Sequence, residues 1–260
     1  MPDGTRAAED DRMKITPQAR SFDEAAADYA ENRPSYPPTV LDAVEELAGR
    51  PLRGARVADV GAGTGLATAL LHARGARVLA VEPGPAMASQ LRLRHPEIPL
   101  VLGDGNNLPL ASGSLDVLTY AQSWHWTDPR SSVPEALRVL RPGGALALWW
   151  NDSDHTLPWI AEQDARLRRL FSGPDDAPDP AARFRGLPPE LDFTTRRMSW
   201  TRTVPLTTHL ANLASYSDFL MLGKEATDTF LDAERNLLNK VFPDGTVEER
   251  YVVGLAVARR

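Results

Sequence analysis

The sequence predicts an α/β protein with a doubly wound, mostly parallel sheet of seven strands, and three observations carry that expectation. Between Arg56 and Trp150 short apolar runs alternate with helical-period segments, a pattern that places helices on both faces of a parallel sheet. The run Gly61-Ala62-Gly63-Thr64-Gly65 directly follows the first apolar run. Beyond a helical region, two more strand-like runs at 193–204 and 247–258 complete the count.

The elements can be read in order. Ser21-Phe22-Asp23-Glu24 has the form of a capping box and opens a short helix. Three prolines between Asn32 and Pro38 favour an extended segment. Thr39 is the expected cap of a helix carrying Val40, Leu41, Val44 and Leu47 at helical spacing, with its stop near Gly49. Strands follow at 57–60, 77–81, 99–102, 114–120 and 145–150, the last apolar throughout and so expected to be buried on both faces. Helices are predicted at 66–74, 86–94 and 133–140. In the second half, 157–171, 206–222 and 227–241 read as helices and 172–190 as a surface excursion. Alternation and Thr/Arg content in 193–204 suit a strand near a sheet edge.

Composition narrows the function classes. A chain of 260 residues that is 42% hydrophobic and 25% charged has the make-up of an ordinary globular protein. No run of about 18 apolar residues points to a membrane span. Residues 1–13 read as a polar tail without the apolar stretch of a secretion signal, so a cytoplasmic location is expected. The absence of cysteine removes disulfides, thiolate metal sites and cysteine nucleophiles. A net charge of −6 disfavours a general nucleic-acid binder.

A glycine-rich turn between a strand and its helix lets a ligand approach backbone N–H groups at a helix N-terminus. The dinucleotide pattern G-x-G-x-x-G would put its third glycine at position 66, which is Leu66; the glycines stand at 61, 63 and 65 instead. Glu82 closes the second strand, where a carboxylate can accept both hydroxyls of a nucleoside ribose. Asp104, in Leu102-Gly103-Asp104-Gly105, reads either as an acceptor for an adenine amino group or as a turn aspartate.

Residues 57–65, 78–84, 101–105, 115–126 and 140–151 together resemble the ordered motifs of class I S-adenosylmethionine-dependent methyltransferases with a Rossmann-like core. The opening Phe22…Tyr29…Arg33-Pro34-Ser35-Tyr36-Pro37 is similar to a small-molecule branch related to the ubiquinone/menaquinone and trans-aconitate methyltransferases. The resemblance implies S-adenosyl-L-methionine as cofactor. It places the methionine end on the loop around Gly61, Ala62 and Gly63, the ribose on Glu82 beside Pro83, and the adenine near Asp104, Gly105 and Asn106. By the same resemblance Gln122 meets the methionine amino group, and Asp59 orients the loop or the ammonium.

Ser123-Trp124-His125-Trp126 lies just past the fourth strand, on the rim where ligands sit in open α/β sheets. His125 is the candidate catalytic base for a hydroxyl acceptor; its other reading is packing with a backbone hydrogen bond. Tyr29, Arg33 and Tyr36 are candidates to close over the cofactor, with Arg33 or a tyrosine meeting its carboxylate; the other reading pairs Arg33 with a surface acid. Asn151-Asp152 resembles one side of a magnesium site in catechol-type methyltransferases, but Ala121-Gln122-Ser123 lacks the matching carboxylate, and no metal is expected. The arginines at 166, 168, 169, 196, 197 and 202 read as an acidic-substrate surface or a solvated face, and His209 has no evident partner.

The expected organisation is a tail over 1–13, an N-terminal lid over 14–38, a cofactor core over 39–152, and over 153–260 a helical substrate cap around the sixth strand together with the last two strands. The expected activity is methyl transfer to a small-molecule acceptor, a natural product or secondary metabolite, by a monomer or homodimer. The alternatives are a cofactor-binding protein on the same fold that transfers nothing, and a nicotinamide oxidoreductase, which Leu66 disfavours.

Overall fold

The computed structural model describes residues 32–171 and 182–260. The tail over 1–13, the helix expected at Ser21 and the candidate Tyr29 lie outside these residues. The sheet consists of β1 (Arg56–Val60), β2 (Arg77–Glu82), β3 (Leu100–Leu102), β4 (Leu115–Ala121), β5 (Leu140–Ser153), β6 (Phe193–Pro205) and β7 (Thr246–Arg259). Its order is β3-β2-β1-β4-β5-β7-β6. Pairing is parallel from β3 through β5, and β7 runs antiparallel to both β5 and β6. The chain therefore winds outward from β1 to β3 and then returns to lay β4 on the other side of β1, which makes the β1/β4 edge the switch point where such sheets bind ligands.

Helices α1 (Thr39–Ala48), α2 (Leu66–Ala73), α3 (Pro85–Arg94) and α4 (Pro129–Val139) flank the parallel strands. Side chains alternate across a strand, and this alternation builds two cores. Val57, Val117, Ala147 and Trp149 meet Val40, Val44 and Leu71 on one face. Ala58, Leu118, Tyr120, Leu148 and Trp150 meet Val133, Ala136 and Val139 on the other. With both faces covered, β5 is apolar through its middle, as its sequence predicts.

Two local expectations change. Thr39 does not cap α1: the backbone of Pro38 is already helical, no side chain caps the end, and Thr39 is the first helical residue. Helix α4 begins a turn before the predicted Val133, because Asp128 accepts the Arg130 N–H at 3.0 Å and Pro129 occupies the first turn, where its missing N–H costs nothing.

The second half adds α5 (Pro158–Phe171), α6 (Ala182–Arg185), α7 (Leu206–Ala214), α8 (Ser217–Leu222) and α9 (Lys224–Val241). The single helix expected over 206–222 breaks into α7 and α8 at Ser215, whose hydroxyl turns back to the Asn212 carbonyl at 2.6 Å. Leu167, Leu206, Leu210, Leu213, Phe219 and Leu238 give this region its own apolar core beside the sheet. No described helix is long and apolar enough to cross a membrane.

Candidate active site

The glycine loop lies at the C-terminal ends of β1 and β4, and its shape follows from close packing. Gly61 has φ +67°, and a Cβ there would lie 2.4 Å from the Ser123 Cβ. Ser123 in turn donates its hydroxyl to the Val60 carbonyl at 2.5 Å. Only glycine accommodates both the left-handed backbone and that neighbour. The N–H groups of Gly61 and Ala62 reach the Val81 carbonyl at 2.8 and 3.2 Å, so the loop is also tied to β2.

Glu82 is buried at the end of β2, and the loop and the following turn orient its carboxylate. The Gly63 N–H donates to one oxygen at 2.7 Å and the Gly84 N–H, just past Pro83, to the other at 2.8 Å. Asp59, 1% exposed, lies below the loop and accepts hydroxyl hydrogens from Thr68 at 2.6 Å and Thr119 at 2.9 Å. Burial pushes its carboxyl up to about 6, and the two hydroxyls oppose that rise. Asp59 thereby joins β1, α2 and β4 beneath the glycines.

Past β3, Asp104 accepts the Asn106 N–H at 2.7 Å, and Asn106 accepts the Asp128 N–H at 2.8 Å, which links this turn to the start of α4. Gly105 packs tightly: a Cβ would meet Thr127 Cγ2 and the Tyr120 ring and hydroxyl, each at 2.9 Å. The Tyr120 hydroxyl is buried without a hydrogen-bond partner among the described residues. Its ionisation is pushed up by burial, with the Asp104 and Glu135 charges adding to the effect. Sequence reasoning missed Tyr120, since a tyrosine within an apolar strand looks like core.

Gln122 is the one non-glycine among the described residues with positive φ, at +62°. Such backbone is uncommon outside glycine and collects at functional sites. Its N–H donates to the Trp149 carbonyl at 2.9 Å and its side-chain amide to the Asn151 carbonyl at 3.1 Å. Next along, His125 stands exposed on a one-turn 3-10 helix, Trp124–Trp126, with its ring 4.8 Å from that of Trp126. Trp124 is buried edge-on against Tyr120 at 4.8 Å, whereas Trp126 is 44% exposed. The aromatic pair thus splits into one packing residue and one surface residue.

The described part of the N-terminal segment lies against β5 and the second half. The Arg33 guanidinium lies 4.4 Å over the Tyr216 ring, Tyr36 meets Trp149 edge-on at 5.9 Å, and the Asn32 carbonyl accepts from Arg202 at 3.1 Å. Arg33 is thereby placed at the cap, stacked on an aromatic ring.

The cap holds a buried polar chain that sequence reasoning did not assemble. Glu249, 2% exposed, receives hydrogen bonds from His209 at 2.6 Å, from Tyr251 at 2.7 Å and from Arg202. Gln163 bridges His209 and Glu234 at 3.1 Å each, and Arg166 pairs with Glu234. Burial alone would raise the Glu249 carboxyl, but the hydrogen bonds from His209 and Arg202 and their charges hold it below the usual range. A signal existed: in the alternating strand Val247-Glu248-Glu249-Arg250-Tyr251, Glu249 falls on the apolar side. Of the arginines read as an acidic-substrate surface or a solvated face, Arg166, Arg168, Arg196 and Arg202 pair with acids of the chain itself. His155 pairs with Asp164 at 2.5 Å, and no cluster of three or more metal-ligating side chains occurs among the described residues.

The structure thus gathers Asp59, Gly61, Ala62, Gly63, Glu82, Gln122 and Ser123 around one edge, with Asp104, Gly105, Asn106 and His125 on the neighbouring loops. The set fits a nucleoside cofactor by chemistry, with an oriented carboxylate beside the glycine loop and, under Gly105, a tyrosine hydroxyl without a hydrogen-bond partner among the described residues.

Comparison with known proteins agrees. Residues 58–148 match the family described as a methyltransferase domain. An uncharacterised methyltransferase of Mycobacterium tuberculosis is 38% identical over 220 residues, covering 84% of this chain and 85% of its own length. A demethylmenaquinone methyltransferase of Beutenbergia cavernae is 36% identical over 106 residues, 40% of this chain and 43% of that protein. A solved structure described as a type II methyltransferase from Anaeromyxobacter dehalogenans superposes with a TM-score of 0.65 at 26% identity, covering 87% of this chain and 97% of its own. An oriented carboxylate at the end of β2, a glycine loop pressed on the end of β4 and a relative matched over 84% of the chain converge: the chain belongs to the methyltransferase family of the class I, S-adenosylmethionine-dependent type.

Proposed function

We propose that this chain transfers a methyl group to a small-molecule acceptor, a natural product or secondary metabolite, with S-adenosyl-L-methionine as donor. When bound, the cofactor supplies an activated methyl on a sulfonium. The observation that carries the reading is Glu82, whose carboxylate is aimed by the N–H groups of Gly63 and Gly84 beside the loop. In this reading Glu82 and Pro83 hold the ribose, Gly61 to Gly63 and Gln122 the methionine end, and Asp104, Gly105 and Asn106 the adenine. Asp59 sets the loop from below through α2 and β4. In the same reading the described residues 32–38, with Arg33, belong to a closing lid, 39–152 to the cofactor core, and the described part of 153–260 to the substrate cap with the outer strands; the rest of the lid expected over 14–38, Tyr29 included, lies outside the described residues.

Methyl transfer asks the protein mainly to align donor and acceptor and to exclude water. In this reading His125, exposed beyond β4, takes a proton from a hydroxyl acceptor entering over that edge. The acceptor named by the Beutenbergia relative supports a small molecule.

Calorimetric titration with S-adenosylhomocysteine should show binding, and NAD should show none; the reverse would overturn the cofactor assignment. Incubation with donor and an acceptor panel, read by mass, should give a one-methyl increase. Binding without any transfer would favour a non-transferring protein on this fold. His125→Ala should slow turnover by about 100-fold or more with cofactor binding intact, and unchanged turnover would remove it as the base.

A further inference from the structure

We propose that the side-chain amide nitrogen of Asn151 is the hydrogen-bond donor that orients the methyl acceptor. The group it recognises is an oxygen acceptor, a carbonyl or an ionised hydroxyl, carried on a flat aromatic framework. The inference rests on the methyl-transfer reading above.

Asn151 stands near the end of β5, paired with Val253 of β7. Two of its polar groups are committed. Its carbonyl accepts from the Gln122 amide at 3.1 Å, and its side-chain oxygen accepts the Trp200 indole N–H at 2.8 Å. Trp200 is a donor only, so this contact settles which end of the amide is oxygen and turns Nδ2 the other way. Nδ2 is buried and has no hydrogen-bond partner among the described residues. Buried amide donors left in this state are rare and call for an explanation. Two residues earlier on the same face, the Trp149 indole N–H is a second buried donor without a hydrogen-bond partner, its ring edge-on to Tyr36.

Position favours the acceptor over the cofactor. In the order β3-β2-β1-β4-β5, Glu82 ends β2 and the glycine loop follows β1, whereas Asn151 stands near the end of β5 on the far side of β4. Neighbouring strands are about 4.8 Å apart, so a cofactor anchored over β1 and β2 ends its reach near β4, and the next space lies over β5. Aromatic rings gather on this face: Trp200 stacks on Tyr251 at 5.1 Å, and Trp149 meets Tyr36 at 5.9 Å. Rings of this kind suit a flat partner, and the amide supplies one directional contact within them. The segment carrying Tyr36 covers the same face, so entry of the acceptor goes with displacement of that segment.

The test uses acetophenone, an aromatic ring bearing one oxygen that only accepts. Crystals of the protein with S-adenosylhomocysteine, soaked in acetophenone, should place the ketone oxygen within hydrogen-bond distance of Asn151 Nδ2. Acetophenone affinity of the loaded protein, followed by ligand-observed NMR, should fall about 10-fold in Asn151→Leu, with S-adenosylhomocysteine affinity unchanged. Asn151→Asp keeps an oxygen for Trp200 but replaces the donor, and it should lose affinity equally while preserving the fold. The proposal is overturned if the carboxylate of S-adenosylhomocysteine occupies Nδ2, if no acetophenone lies over β5, or if both variants bind it as the wild type does. Crystals and solutions that take up no S-adenosylhomocysteine would instead overturn the methyl-transfer reading itself.

Discussion

Two buried carboxylates show how differently the two halves of this molecule handle polar groups. Asp59, in the cofactor half, is surrounded by neutral hydroxyls, and burial wins: its carboxyl is pushed up to about 6. Glu249, in the cap, is just as buried, but Arg202 and His209 reach it and the carboxyl is held low. The cap closes its charges on one another, from Arg166 through Glu234, Gln163 and His209 to Glu249. In the cofactor half the Glu82 carboxylate is held by backbone N–H groups, Gln122 is strained, and the Tyr120 hydroxyl has no hydrogen-bond partner among the described residues. One region closes its polar residues on one another through side-chain ion pairs, and the other holds them by backbone and hydroxyl contacts at the ends of β1, β2 and β4.

That contrast makes separable predictions. Glu249→Ala leaves Arg202 and His209 facing an empty buried site and should cost about 3–5 kcal/mol of stability, measured by denaturant unfolding, with S-adenosylhomocysteine affinity of the folded fraction unchanged. Gly61→Val combines an unfavourable φ with a collision on Ser123; about 3 kcal/mol of lost stability should come together with loss of calorimetric binding. Glu82→Ala removes the acceptor of the Gly63 and Gly84 N–H groups and should weaken S-adenosylhomocysteine about 100-fold, or about 2.7 kcal/mol, while the cap is untouched.

The smallest effect concerns pH. The folded Asp59 carboxyl, at about 6, lies above its unfolded value near ~3.9, so the folded state binds its proton more tightly. Its ionised form therefore costs stability above pH 6, and that cost is relieved as pH falls through about 6 toward about 4. Glu249, held low, has the opposite sign: its contribution is present above the unfolded value and is lost as pH falls through the folded one. Asp59→Asn should raise the unfolding free energy at neutral pH by about 1 kcal/mol and flatten its pH dependence between about 6 and 4. An unchanged profile in the variant would contradict the burial-dominated state of Asp59.

What could be read from the sequence follows the same division. Strand–helix alternation and the glycine spacing are local patterns, so β1 to β5, the loop and the acid at Glu82 are legible in the sequence alone. Edge position for 193–204 was legible too, because a Thr- and Arg-rich alternation suits a strand with one open side. The Glu249–His209 pair was not, since its members stand 40 residues apart and meet only through the packing of α7 on β7. Nor was the donor of Asn151, which depends on a tryptophan arriving from β6. Local pattern makes the strands and the glycine loop legible; long-range packing decides which polar groups of distant segments meet.

Titration of S-adenosylhomocysteine into the wild type and Glu82→Gln, side by side, addresses the core of this reading. The isosteric amide keeps the volume of Glu82 and loses its acceptor pair. Saturable binding to the wild type, with affinity about 10-fold or more lower in Glu82→Gln, is the expected result. Equal binding to both proteins, or no binding to the wild type, would contradict it.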